Sequence, residues 1–94
     1  MKGFAKQKVP GGKLLAVKLD YSDVIEKIEI LGDFFLHPED LLQKIEKSLV
    51  GIHVDESEQA IAEKLKRVVE TNSIELIGIT PEAIAQTIKM VVKK

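Results

Sequence analysis

Hydrophobic and polar residues alternate along three short runs early in the chain, at residues 4–9, 13–21 and 24–31. A period of two predicts β-strands, because successive side chains of a strand point to opposite faces. The clearest run places Leu15, Val17 and Leu19 on one face. Turn residues separate the runs, as Pro10-Gly11-Gly12 and as Ser22-Asp23. The pattern predicts an antiparallel meander with one buried face, whose first strand lies at an edge.

From residue 38 onward, apolar residues recur at helical spacing in three segments. The first segment covers residues 38–50, the second extends to about Thr71, and the third follows Thr80. Between the second and third segments, residues 74–77 alternate weakly and predict a short extended connector. The second half of the chain is therefore predicted to be helical.

Residues with capping chemistry mark the predicted ends of these helices. Pro38 suits a first helical position, which has no use for an amide donor. Asp55, followed three residues later by Glu58, predicts the N-cap of the second helix, and Thr80 predicts that of the third. Left-handed helix ends are predicted at the positions Gly51 and Asn72.

The order of elements predicts an α+β fold, in which an N-terminal antiparallel strand meander is covered by about three helices. Ninety-four residues fit one domain, 1–94, with one modest core. This architecture resembles that of the iron–sulfur cluster assembly scaffolds. Those proteins bind clusters through cysteines and this chain has none, so the resemblance implies a shared fold without the shared chemistry.

Composition narrows the function classes. The net charge of −1 does not favour nucleic-acid binding, although four lysines precede the first acid, Asp20. That basic start either solvates the N-terminus or attracts an acidic partner surface or a phosphate. No apolar run approaches the roughly 20 residues of a membrane span, and the first residues lack the apolar core of a signal peptide. The expected location is the cytoplasm, without membrane contact.

The segment from Gly32 to Pro38 predicts a corner between the last strand and the first helix. Gly32 follows the alternating run, where the missing Cβ lets another backbone approach closely. Asp33 predicts either a local cap for backbone amides or a polar anchor at an interface. Phe34 and Phe35 are adjacent and cannot both face inward from a regular strand, so one of them is a candidate partner contact.

No residues of the chain form a recognisable catalytic or metal-binding pattern. Gly11-Gly12-Lys13 lacks the helix that follows a phosphate-binding loop, which favours a structural turn or a partner contact over a nucleotide site. His37 and His53 have no metal-ligand spacing. Asp33 has no predicted partner that would make it a general base. The sequence therefore predicts no catalytic residue and no metal site.

Four short motifs, in this order and spacing, resemble the C-terminal accessory domain of lipoate–protein ligases. They are Pro10-Gly11-Gly12-Lys13-Leu14, Gly32-Asp33-Phe34-Phe35, Pro38-Glu39 and Leu49-Val50-Gly51. In that family the domain is usually fused behind a catalytic domain, and in some archaea and bacteria it is a separate small subunit. This chain begins with Met1 and has no room for the catalytic domain, so the separate form is expected.

The resemblance implies a non-catalytic subunit that forms a heterodimer with the ligase catalytic subunit. The partner would activate lipoate with ATP to lipoyl-adenylate and transfer the lipoyl group to an acceptor domain. Lipoate, ATP and Mg are expected on that partner and none on this chain alone, which meets lipoyl acceptor domains only indirectly. The positions expected at the interface are Gly11, Gly12, Lys13, Gly32, Asp33, Phe34 and Phe35. The alternative is a protein-binding adaptor on the cluster-scaffold architecture, without ligase involvement.

Overall fold

The computed structural model describes residues 1–9, 11 and 13–92. Its elements are β1 (Lys2–Lys8), β2 (Leu14–Tyr21), β3 (Ile25–Gly32), β4 (Phe35–His37), a 3₁₀ turn (Glu39–Leu41), α1 (Leu42–Leu49), α2 (Glu58–Thr71), β5 (Glu75–Ile77) and α3 (Pro81–Val92). The predicted α+β order, a strand meander followed by helices, is confirmed. Within the described part of the chain, no helix is long and apolar enough to cross a membrane.

The first three strands form an antiparallel sheet in the order β1-β2-β3. The register pairs Ala5 with Val17 and Val17 with Ile30, so these three side chains share one face. Val17 is fully buried and Ile30 is 2% exposed. The alternation in the sequence thus reports correctly which face of the meander enters the core, and β1 lies at an edge as predicted.

The helices cover that inner face. Helix α3 packs on β1 and β2, α1 packs on β3, and α2 packs on α3 and α1. The buried Thr87 hydroxyl of α3 donates to the Ala83 carbonyl oxygen and accepts a hydrogen bond of 2.8 Å from Gln7 of β1. A polar side chain inside this core is therefore fully hydrogen-bonded, as burial requires.

Two of the predicted helix caps are wrong by one or two residues. Ser57, not Asp55, is the N-cap of α2, and its hydroxyl accepts a hydrogen bond of 3.0 Å from the Ala60 amide. Asp55 lies in the preceding turn, two residues before the N-cap. At the other end Ser73, not Asn72, takes the left-handed conformation, with φ of 53°. Asn72 instead donates its side-chain amide to the Val68 carbonyl oxygen.

The remaining helix signals are confirmed with one change. The Thr80 hydroxyl caps α3 by accepting from the Ala83 amide at 3.1 Å, and Gly51 has a positive φ of 91°. Pro38 is not a first helical residue: it follows a cis peptide bond and is the N-cap of the 3₁₀ turn. The first α-helix accordingly starts at Leu42, four residues later than predicted.

A second, two-stranded sheet was not predicted. Residues 35–37, expected in a strand-to-helix corner, form β4, which pairs antiparallel with β5. The predicted extended connector at residues 74–77 is the partner strand β5 and its approach. This small sheet positions the residues that the motifs single out.

Candidate partner interface

Two of the four motifs that carry the family resemblance, the one that ends with Lys13-Leu14 and the one that begins with Gly32-Asp33, meet at one end of the main sheet. The Asp33 amide donates a hydrogen bond of 2.9 Å to the carbonyl oxygen of Leu14, continuing the β2–β3 ladder by one residue. A Cβ at Gly32 would overlap that same carbonyl oxygen. The prediction that Gly32 permits a close backbone approach is therefore confirmed, and the approaching strand is the one that follows Gly11-Gly12-Lys13.

Lys13 reaches from this junction to the small sheet. Its side chain lies against Gly78, where an added Cβ would be 3.3 Å from Lys13 Cγ and 3.6 Å from the Asp33 carbonyl oxygen. Gly78 has a positive φ of 96°, a conformation that favours glycine. The start of β2, the end of β3 and the residue after β5 thus converge, and the side chain of the exposed Lys13 lies against Gly78.

The turn before β2 is only partly described. Gly11 is exposed, has φ of 98°, and would have no atom within 4 Å of an added Cβ. Its glycine is therefore explained by backbone conformation and not by crowding. Gly12, one of the predicted interface residues, lies outside the described residues, as does Pro10 of the same motif.

The structure distinguishes the two adjacent phenylalanines. Phe34 is half-buried and packs against the hydrophobic core. Phe35 begins β4 and is 66% exposed. Of the two candidates for a partner contact, Phe35 is the one whose ring is available.

Phe35 does not stand alone on the surface. It lies directly opposite Ile77 in the β4–β5 pair, so both side chains project from the same face, and Ile77 is 49% exposed. Leu31, which is 42% exposed, lines one shallow depression together with Phe35 and the half-buried Leu42. We call Leu31, Phe35 and Ile77 the apolar corner.

Polar residues border the apolar corner. The Asp33 carboxylate is exposed and accepts no hydrogen bond from any described residue, so it caps none of the described amides, and the second of its two predicted roles, a polar anchor at an interface, stays a prediction. The amide of Asp33, not its carboxylate, makes the local contact. Glu39 lines the depression beside Leu31 and Phe35. An apolar centre with a charged border is the usual anatomy of a protein-binding patch.

The side chains of the apolar corner are suited to contact with another apolar surface. Neither histidine is near a metal-binding cluster: within the described ranges, no three His, Asp or Glu side chains lie close enough together to hold a metal ion. Each large side chain of the apolar corner offers carbon surface and no nucleophile or proton-transfer group. What the arrangement can do is bury three apolar side chains against a second surface.

Sequence reasoning missed Leu31 and Ile77. The signal for Leu31 was present, because Ile28 and Ile30 face inward and the next residue of a strand must face outward. Ile77 has no such signal. Its exposure follows from pairing with a strand about forty residues away, and no local pattern predicts that strand.

The structure defines the class as a small α+β domain with an exposed apolar corner, and comparison with known proteins identifies the family. The sequence model described as the bacterial lipoate protein ligase C-terminus matches residues 4–88. The chain therefore belongs to the family of lipoate protein ligase C-terminal domains, as the motifs predicted. No curated protein matches the chain significantly.

A solved structure shares the fold over nearly the whole chain. It is a chain from an archaeal lipoylation system of Thermoplasma acidophilum, described as a bi-partite lipoate protein ligase and its E2 lipoyl domain. The TM-score is 0.76 at 27% sequence identity, and the match covers 94% of this chain and 94% of that one. The Thermoplasma chain is thus itself about as short as this protein.

Proposed function

We propose that this protein is the non-catalytic accessory subunit of a two-part lipoate–protein ligase. The family match and the likeness to a short chain of a bi-partite ligase support the association with a ligase. The single observation that carries the docking role is the apolar corner, in which Phe35 is 66% exposed beside Leu31 and Ile77. Exposed aromatic residues that become buried on association are frequent binding hot spots.

The proposed partner is the ligase catalytic subunit, which binds lipoate, ATP and Mg and forms lipoyl-adenylate in the cytoplasm. This chain supplies no reacting group. It contributes by docking beside the active site, where it holds a mobile loop of the partner in place and excludes water. Acceptor domains meet it only through the assembled heterodimer.

The first experiment measures lipoate-dependent release of pyrophosphate from ATP by the cognate catalytic subunit, with and without this protein. We expect a stable heterodimer by size-exclusion chromatography and pyrophosphate release that requires both chains. Heterodimer formation without any gain in adenylation would leave an adaptor and reject the accessory role. Adenylation by this chain alone would reject it as well.

A second experiment separates the two half-reactions. When synthetic lipoyl-adenylate is supplied, we expect the catalytic subunit alone to lipoylate an acceptor domain at a rate close to that of the heterodimer. The accessory subunit would then act on adenylation. An equal dependence of both half-reactions on this chain would contradict that assignment.

The interface is tested with Phe35→Ser, and Met90→Ser serves as the matched control. Met90 is an exposed apolar residue of α3, 39% exposed, outside the apolar corner. We expect Phe35→Ser to weaken heterodimer formation about thirtyfold, the size of a hot spot, and the control to bind normally. Equal binding by both variants would remove the apolar corner from the interface.

A further inference from the structure

The two edges of the main sheet are built differently. Hydrogen bonds between Met1 and Tyr21 in both directions, and from the Val9 amide to the Lys13 carbonyl oxygen, fix which residues of β1 pair with β2. Pairing alternates along an antiparallel strand, so the odd-numbered residues bond inward to β2. The amides and carbonyls of the even-numbered residues therefore point away from β2 at the free edge of the sheet, and no described strand pairs with them.

At the opposite edge, groups from elsewhere in the chain bond to outward backbone atoms of β3. The Glu46 carboxylate of α1 accepts a hydrogen bond of 2.8 Å from the outward amide of Ile30. At the other end of the strand, the Ile25 amide donates to the Ile52 carbonyl oxygen and the Ile25 carbonyl oxygen accepts from the Gly51 amide, at 2.9 and 2.8 Å. The chain thus bonds the outward backbone groups of Ile25 and the outward amide of Ile30, and no described residue does the same along β1.

The side chains at the outward positions of β1 have a clear chemistry. They are Lys2, Phe4, Lys6 and Lys8, and all four are exposed on the sheet face that the helices do not cover. Lysines alone would serve to discourage unwanted pairing. Phe4 does not fit that purpose, because a large aromatic ring that is 48% exposed in the middle of the edge attracts apolar partners.

We propose that β1 is a docking edge for one extended segment of a protein partner, which adds a fourth strand to the sheet. Backbone hydrogen bonds provide the attachment, as in other cases of strand addition. The segment carries acidic side chains opposite Lys2, Lys6 and Lys8 and an apolar side chain opposite Phe4. Charge complementarity with the three lysines identifies this occupant.

A second copy of this chain is a poor occupant. If β1 paired antiparallel with itself about Ala5, Lys2 would face Lys8 and Phe4 would face Lys6. Like charges directly opposite each other destabilise a strand pair. The same lysines that oppose self-pairing favour an acidic segment, and this selectivity rests on β1 alone, whether or not the ligase proposal holds.

The proposal is tested on the full chain with a synthetic peptide of seven residues, ETETITE, whose first residue would lie opposite Lys8. Amide hydrogen exchange is followed by NMR at saturating peptide. We expect exchange at Phe4, Lys6 and Lys8 to slow about tenfold or more, and exchange at Ala5 and Gln7, already bonded to β2, to stay unchanged. The control peptide EEETTTI has the same composition without the alternation.

Slowing at alternate residues with ETETITE and not with EEETTTI would establish strand addition. Uniform slowing, an equal response to both peptides, or no response at millimolar concentration would overturn the proposal. Binding should also weaken when salt is raised, because the screening length falls from about 10 Å at 0.1 M to about 3 Å at 1 M.

A charge reversal checks the register. Lys6→Glu should abolish binding of ETETITE. The same variant should bind the peptide ETKTITE, whose lysine at the third position lies opposite residue 6. The control Lys64→Glu makes the same change of net charge on the exposed surface of α2 and should bind ETETITE normally. Loss of binding in both variants would show that binding depends on net charge and not on residue 6, and it would reject the docking edge.

Discussion

The apolar corner and the outer surface of helices α2 and α3 differ in the side chains that they expose to water. On the helical side, Lys66 and Glu82 bridge the two helices at 2.7 Å, and the Lys89 ammonium donates to the carbonyl oxygens of Val54 and Glu56. At the corner, three large apolar side chains remain in contact with water. Among the described residues of α2 and α3, Met90 is the one large apolar side chain that is exposed.

This difference separates stability from association. The helical side satisfies its own polar groups and encloses the core, so changes there act on folding. The corner leaves apolar area whose burial would contribute about 25 cal/mol for each Å² removed from water. Substitutions at the corner should therefore change partner binding without changing the free energy of unfolding.

The largest effect is expected from Leu65→Ala on the core side of α2. Leu65 is fully buried, and the change leaves a cavity beneath the helices. We expect a loss of about 2–5 kcal/mol in the free energy of unfolding, measured by urea denaturation. If Phe35→Ser cost as much in the same assay, the distinction between core and corner would fail.

Next in size is the loss of partner binding when Phe35 and Ile77 are substituted. Each change to Ser should weaken the heterodimer, with Phe35→Ser costing about 2 kcal/mol and leaving stability within about 0.5 kcal/mol. Because the two side chains are directly opposed, the double variant should deviate from additivity by about 0.5 kcal/mol or more. Strict additivity in a titration of binding affinity would mean that they contact the partner independently.

A smaller effect is expected from glycine substitutions at the two motifs. Gly32→Ala combines a positive φ of 149° with overlap of the Leu14 carbonyl, whereas Gly11→Ala has the positive φ without the overlap. We expect a loss of about 1–3 kcal/mol for the first and about 1 kcal/mol for the second, by thermal unfolding. Equal losses would show that the crowding at Gly32 relaxes easily.

The smallest effect concerns the exposed bridge between the helices. The hydrogen bond to Glu82 raises the pKa of Lys66, and the same bond lowers the pKa of Glu82 from its usual 4.5. For Glu82 the stabilisation is present above the unfolded value and is lost as the pH falls through the lowered folded pKa. Glu82→Gln should slightly lower the Tm at pH 7 and remove this part of the acid dependence. Glu63→Gln, which removes an exposed carboxylate of α2 outside the bridge, should leave it in place.

How far the sequence predicts this molecule depends on the range of the interactions involved. The meander and the three helices follow from local periodicity, and Thr80 is identifiable because it directly precedes Pro81. The β4–β5 pair has no local signal, since two strands of three residues far apart in the chain carry too little pattern. The exposure of Phe35 depends on that pairing, so local sequence patterns do not predict which of the two phenylalanines is exposed.

The choice of cap at α2 shows the same limit. Asp55 and Ser57 are both chemically suitable and stand two residues apart. Lys89 of α3 bonds the carbonyls of Val54 and Glu56 on either side of Asp55, which holds that segment as a turn before the helix. A contact between distant elements thus decides a feature that looks local.

The carboxylate of Glu46 on the outer amide of β3 has one further consequence. A sheet that can be extended on both sides is able to stack copy upon copy into a fibre. Here the outward amides of Ile25 and Ile30 on the β3 side are already bonded to the chain's own groups, which opposes extension of the sheet on that side. A strand that pairs with β1 would therefore extend the sheet on one side without starting a fibre of stacked copies.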